Sequence, residues 1–209
     1  MLLDSPRYNP DASPSENEEK NQKTLFEYTD LGGRVVTGFM IQKCTLIIVP
    51  HDMYIFIGLG NPESKYTGTR HNIGRETLIA AQKKFGLPAF APSQKLAALV
   101  TDGKIAKKRM VFALPQTFVN KSGLAAAPAL RLFKAKPKEL ILIHDDVDLL
   151  LGATKLSFGR NSGGHKGVES VMRAIKTKNF WRMRIGVQKK KRVPGEDLVL
   201  QKFRGDEFT

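Results

Sequence analysis

The chain has 209 residues, of which 41% are hydrophobic and 26% charged; that length supports one domain with a sizeable core, and that composition excludes collagen-like, disulfide-scaffold and wholly disordered classes. The single cysteine, Cys44, excludes an internal disulfide, and the longest strongly apolar run, residues 44–50, is too short to span a bilayer. Lys and Arg number 34 against 20 Asp and Glu, a net charge of +14, an excess that points to a polyanionic partner rather than an acidic small molecule.

The charge is unevenly placed. Residues 1–53 hold 8 acidic and 5 basic side chains, net −3, whereas residues 54–209 hold 12 and 29, net +17. The first 30 residues are rich in Pro, Ser, Asn, Asp and Glu and show neither helical nor strand period, which reads as disorder. Their acids, including Asp4, Asp11, Glu16, Glu18 and Glu19, speak against a mitochondrial presequence, which is Arg-rich and acid-poor. Residues 34–49 admit an extra strand pair. Met53 stands immediately before the strand-like Tyr54-Ile55-Phe56-Ile57-Gly58-Leu59. Residues 1–52 are therefore expected to be a disordered or non-native extension, and 53–209 the functional domain.

From there the pattern alternates. Strands are predicted over 54–59, 96–101, 109–113, 140–144, 153–158 and 180–187. A first helix carries Leu78, Ile79, Gln82 and Phe85 on one face, with Gly86 as its stop and Pro88 beyond. A second covers residues 124–133, where Pro128 must sit in the first turn or kink the helix. A third shows the stripe Val168, Val171, Met172, Ile175. These elements define one α/β domain with a twisted, mixed, largely parallel sheet flanked by helices.

In open α/β sheets ligands bind beyond the carboxyl ends of strands. Three polar clusters follow apolar strands: Gly60-Asn61-Pro62 with Tyr66 and Thr69-Arg70-His71-Asn72; Pro115-Gln116-Thr117-Phe118-Val119-Asn120; and His144-Asp145-Asp146-Val147-Asp148. They bring His71, several carboxylates and the carboxamides of Asn61 and Asn120 to one rim. His71 with an acid such as Asp145 makes a base and its orienter, and Asn61 and Asn120 can donate N–H groups to a carbonyl oxygen gaining charge. No Gly-x-Ser-x-Gly elbow occurs, so attack by water on an ester or amide fits better than covalent acyl transfer. Each feature has a plainer alternative: a His before Asn is also a common turn residue, Asn61-Pro62 is ordinary turn chemistry, and Asp145, Asp146 and Asp148 are also the residue type that holds Mg²⁺. Gly58-x-Gly60 lacks the third glycine of a dinucleotide fingerprint, since position 63 is Glu, so no nucleotide cofactor is implied.

Gly159-Arg160-Asn161-Ser162-Gly163-Gly164-His165-Lys166-Gly167 leads straight into the third helix. Free N–H groups at a helix start attract phosphate, and Arg160 and Lys166 reinforce this; the other reading is a flexible surface loop. In the last strand, period two puts Trp181, Met183, Ile185 and Val187 on one face and Arg182 and Arg184 on the other, where the arginines are expected to track phosphates together with Lys189, Lys190, Lys191 and Arg192.

These residues resemble a known family. Phe56-Ile57-Gly58-Leu59-Gly60-Asn61-Pro62, Tyr66, Thr69-Arg70-His71-Asn72-Ile73-Gly74, Thr117-Phe118-Val119-Asn120-Lys121-Ser122-Gly123, His144-Asp145-Asp146-Val147-Asp148-Leu149, Gly163-Gly164-His165 and Arg184-Ile185-Gly186 are similar, in order, to the successive motifs of bacterial-type peptidyl-tRNA hydrolases. The resemblance covers about residue 54 to Phe203. It implies a cytoplasmic, monomeric enzyme, with no cofactor, metal, membrane or obligate protein partner. Such an enzyme cleaves the ester between a peptide and the terminal ribose of tRNA, so the tRNA is recycled. By the same resemblance His71 is the base, Asp145 orients it, and Asn61 and Asn120 position the peptide and stabilise the oxyanion. Tyr66 and Phe118 line the groove for the 3′ end, Gly163, Gly164, His165 and Lys166 form a substrate-contacting loop, and Arg184 meets phosphate.

Two departures stand out. Lys166 occupies a place where the family usually has Asn, so altered turnover or an added phosphate contact is expected. The family also continues past the segment resembling Val199-Leu200-Gln201-Lys202-Phe203 into a helix that covers the sheet, so a truncated gene product is expected. Two other function classes stay open on the residues alone: a noncatalytic RNA-binding relative, and a Mg²⁺-dependent phosphoesterase. For the extension, mass spectrometry of the protein made from its own gene should find no peptide from residues 1–30; recovery of one shows that the extension is native.

Overall fold

The computed structural model describes residues 51–204 and 207, together with the backbone of three earlier strands. The disorder expected of the first 30 residues is overturned over Leu25–Thr29, which form a strand, and otherwise lies outside the described residues. The chain divides into two compact units, Met1–Pro50 and His51–Thr209. In the first, β1 (Leu25–Thr29), β2 (Val35–Ile41) and β3 (Cys44–Ile48) form an antiparallel three-stranded sheet in that order. The strand pair anticipated over 34–49 corresponds to β2 and β3. β1 arises where no period was read, from the short apolar-aromatic run Leu25-Phe26-Glu27-Tyr28.

The second unit holds β4 (Met53–Gly58), α1 (Ile73–Lys84), β5 (Ala91–Ser93), β6 (Ala98–Ile105), β7 (Lys108–Pro115), α2 (Gly123–Leu132), β8 (Leu140–Leu150), β9 (Thr154–Phe158), α3 (Lys166–Ile175), β10 (Trp181–Gln188) and the short α4 (Gly195–Val199). Its seven strands are ordered β5-β6-β7-β4-β8-β10-β9. The four central strands, β7, β4, β8 and β10, run parallel, while β6 and β9 pair antiparallel at the flanks. This is the mixed, mostly parallel α/β sheet expected from the alternating pattern. β5 was not expected, because Pro92 argues against a strand interior; the structure puts it at the edge, where proline is tolerated.

Central strands read as unbroken apolar runs because both faces are covered. Ile55 and Ile57 of β4 join a core cluster with Ala125, Ala129, Val168, Val171 and Phe180. By strand alternation Tyr54 and Phe56 face the other way, where Phe56 meets Phe112 edge-on at 5.2 Å. α1 packs on β4, β7 and β8, burying Leu78 and Ala81 outside that cluster. Pro128 stands sixth in α2 rather than in its first turn. It lies one turn after the exposed Leu124, on the side where the carbonyl it leaves unpaired can reach water.

Two features place the rim. β4 ends at Gly58, opposite Ile143 of β8, but β8 does not end with it. The sequence placed the acidic cluster after a strand closing at His144, whereas the strand continues to Leu150 because β10 still pairs with it, up to Gln188 opposite Leu150. Asp145 therefore projects from rigid strand just beyond the end of its neighbour. The start of α1 then lies directly on this edge: a Cβ on Gly58 would stand 2.5 Å from Gly74 O, and one on Gly74 would stand 2.2 Å from Ile143 O. Only glycine permits so close a backbone approach. Gly74→Ala must push the helix start off the sheet, and urea unfolding should show a loss of about 1–3 kcal/mol.

Candidate active site

The turn Arg70–Asn72 delivers His71 to the rim. His71 Nδ1 lies 2.8 Å from Asp145 Oδ1, with the two side chains 15% and 2% exposed. The same oxygen lies 3.0 Å from His165 Nε2. His165 caps α3, its Nδ1 accepting from the N–H groups of Gly167 at 3.1 Å and Val168 at 3.4 Å. A nitrogen that accepts two N–H bonds carries no proton, so His165 bears its proton on Nε2 and donates it to Asp145. A carboxylate oxygen can only accept, so His71 likewise donates from Nδ1. Its Nε2 is left as a free base.

Burial alone would raise Asp145, yet the electrostatic attraction and hydrogen bonds of the His165 and then His71 N–H groups outweigh it and hold the carboxyl well below the ordinary carboxylate range. Burial opposes a charged His71, but the hydrogen bond and charge of Asp145 prevail, and its pKa is raised above 6.5. His144 behaves in the opposite way. Burial above all, with His165 close by, pushes it down to about 3. Its Nδ1–H donates to Asp145 O at 2.6 Å, and its Nε2 is buried without a partner. The rings of His144 and His165 meet edge-on at 4.7 Å, and those of His165 and His71 stand 5.2 Å apart. The rim thus gathers the rings of His71, His144 and His165 in one place.

Asn61 is 7% exposed and gripped by its neighbours. Its N–H donates to Asn72 Oδ1 at 2.8 Å, its carbonyl accepts from Asn72 Nδ2 at 3.0 Å, and its own Oδ1 accepts from Val119 N–H at 3.0 Å. With Oδ1 committed, Nδ2 is the end left to donate. Asn120 follows Val119 in the turn Val119–Lys121 but is itself exposed; no hydrogen bond among the described residues joins it to Asn61, His71 or Asp145. Phe118 is 47% exposed, and Tyr66 is half-buried in the turn Ser64–Tyr66 under Lys65 Nζ at 5.0 Å. Gly163 and Gly164 are exposed and adopt φ of 65° and 82°, the left-handed conformation that turns the chain back into His165. Lys166 is exposed in the first turn of α3.

Three readings need correction. The N–H groups at the start of α3 were expected to be open to phosphate, but those of Gly167 and Val168 are taken by His165. Arg182 was expected on a phosphate-tracking surface. It is 3% exposed instead, lying between Leu142 of β8 and Ser157 of β9 and reaching Ser162 O at 3.4 Å, because β9 closes over it. The carboxylates considered for Mg²⁺ do not converge: Asp145 serves two histidines, Asp146 pairs with Arg184 at 2.5 Å, and Asp148 with Arg192 at 2.9 Å. The atoms of His71, Asp145 and His165 do lie within 4.8 Å of one another, but a cation there would have to displace both bridging protons. The role of His165 as a partner of Asp145 was missed. Its signal was a histidine at a helix start, and nothing local says which acid lies across from it.

A family model described as peptidyl-tRNA hydrolase matches residues 55–209. Peptidyl-tRNA hydrolase from Sinorhizobium fredii is 39% identical over 155 residues, covering 74% of this chain and 62% of the relative; that from Mycobacterium ulcerans is 38% identical over 157 residues, covering 73% and 80%. The chain thus spans under two thirds of the first relative's length and more of the second's. The crystal structure of peptidyl-tRNA hydrolase from Acinetobacter baumannii aligns with a TM-score of 0.69 at 30% identity, over 75% of this chain and 79% of that one. Domain and rim together define a mixed α/β protein whose sheet edge holds a histidine hydrogen-bonded to a buried carboxylate. The chain belongs to the peptidyl-tRNA hydrolase family.

The raised His71 pKa fixes a sign. With the neutral ring acting as a base, the ascending limb of kcat/KM against pH should lie above 6.5. Asp145→Asn removes what raises the pKa and leaves burial, which lowers it. The limb should then move to lower pH while the plateau falls.

Proposed function

We propose that this protein hydrolyses the ester joining a peptide to the 3′-terminal ribose of peptidyl-tRNA, and that the observation carrying the reading is the His71–Asp145 hydrogen bond with Nε2 left free. His71 Nε2 takes a proton from water as the oxygen attacks the ester carbonyl carbon. The charge that forms on His71 is neutralised by Asp145 across 2.8 Å. Asn61 Nδ2 donates to the carbonyl oxygen as it becomes an oxyanion, and Asn120, exposed beside Val119 in its turn, supplies the second amide on substrate contact. The tetrahedral intermediate collapses, the C–O bond to the ribose breaks, and the imidazolium returns its proton to the departing hydroxyl. Every step is acid–base chemistry at one ring, with no acyl-enzyme.

Recognition follows from charge. Residues 54–209 carry +17, which suits a domain that grips a tRNA acceptor arm through phosphates. Tyr66 and Phe118 offer rings to the 3′-terminal bases, Gly163, Gly164, His165 and Lys166 border the cleft, and Arg184 meets phosphate by exchanging Asp146 for it. The protein acts as a monomer in the cytoplasm.

The test is release of N-blocked amino acid from charged tRNA. Wild type should cleave in the presence of EDTA, and His71→Ala should lose about 10²–10⁴-fold in kcat/KM. Tight, salt-sensitive tRNA binding without cleavage would instead make the chain an RNA-binding relative.

A further inference from the structure

The residue before the proposed base is a buried arginine that the reaction does not use. Arg70 is fully buried. Its Nη1 donates to Val187 O of β10 at 3.1 Å, its Nη2 donates to Glu207 Oε2 at 2.7 Å, and its guanidinium lies 4.8 Å from the centre of the Phe203 ring. The backbone repeats the attachment: Arg70 N–H donates to Gln201 O at 3.0 Å, Phe203 N–H donates to Gly68 O at 3.0 Å, and Thr69 bridges Lys202. Glu207 is itself held, its Oε2 also accepting from Arg204 N–H at 2.8 Å. The strand side of the clamp is closed by Lys189 Nζ, which donates to Gln201 Oε1 at 3.1 Å.

We propose that Gln201, Lys202, Phe203 and Glu207 form a strap that positions His71, by locking the turn Arg70–Asn72 against β10 so that Nδ1 stays in register with Asp145. The proposal rests on the reading of His71 as the base. It gives a role to the attachments that converge on residues 68–70 and touch no reacting atom. The charged and titratable groups around His71 are Asp145 from β8, His165 from the start of α3 and Arg70 on its own turn. Of these, Asp145 sets its protonation, and the distance to Asp145 is what the strap governs. Removing the Glu207 carboxylate leaves a buried guanidinium without its anion; removing the Phe203 ring takes away the surface on which it rests. Either lets the turn drift, and a shift of an ångström at a catalytic group is worth up to about a hundredfold in rate.

The experiment follows the His71 ring nitrogens by NMR across pH in the ¹⁵N-histidine-labelled full chain, for wild type, Glu207→Gln, Phe203→Ala and Phe203→Leu, with Asp102→Asn as a control far from the strap. The Leu variant keeps apolar volume and decides the matter if the Ala variant does not fold. In the folded strap variants the His71 pKa should fall toward or below the ordinary value and kcat for ester cleavage should drop about tenfold or more at near-constant KM, while Asp102→Asn matches wild type in both. A purely structural role would lower Tm and leave the His71 titration in place, and that result overturns the proposal. A wild type that shows the raised titration but cleaves no ester refutes the assigned activity and leaves the strap to be judged by the NMR result alone.

Discussion

One oxygen atom, Asp145 Oδ1, accepts hydrogen bonds from two imidazoles at 2.8 and 3.0 Å on a side chain only 2% exposed. An anion so deeply placed persists only where donors replace the water it has lost. Much of the surrounding fold meets that demand. β8 runs past the end of β4 and carries the carboxylate out over the rim. The glycine contacts of β4 and α1 bring the His71 turn down onto it, and the left-handed glycines before α3 bring His165 in from the other side.

Three histidines share this neighbourhood with three different tasks, and environment alone separates them. His71 is hydrogen-bonded to the carboxylate with its other nitrogen free, so it gains a proton readily. His165 spends one nitrogen on two backbone N–H groups, and this fixes its proton on the side facing Asp145. His144 is buried, with its only partner a carbonyl that requires the neutral ring's N–H and its far nitrogen unpartnered, so it stays neutral at any working pH. Two of these rings, His71 and His165, hold the carboxylate of Asp145, while His144 bonds only its backbone carbonyl, so neighbouring titratable groups are pushed apart by their surroundings.

The charge excess is less freely available than its size suggests. Arg70 and Arg182 are interior, and Arg184 and Arg192 already pair with Asp146 and Asp148. A polyanion approaching the rim meets arginines held in place by acids, which it must exchange, and exposed lysines such as Lys166, which it need not. Pre-paired arginines hold a fixed geometry, while free lysines supply long-range attraction.

Residue types and their periods carried most of the architecture. The apolar runs of β4 and β8, the stripe Val168-Val171-Met172 and the turn residues between them are local signals, and local signals survive without a fold. They also pointed to Asn61 and Asp145, polar residues after apolar runs, and to His71 in the polar segment that follows β4, of which the structure joins His71 to Asp145. Sequence alone did not determine that β8 outlasts its neighbour, that His165 faces Asp145 across 20 positions of chain, that Arg182 lies inside, or that Gln201 to Phe203 returns to hold the turn before His71. Each of these depends on which strand or segment lies alongside another, and pairing between distant parts of a chain is decided by the packing of the whole sheet, which no window of neighbouring residues records.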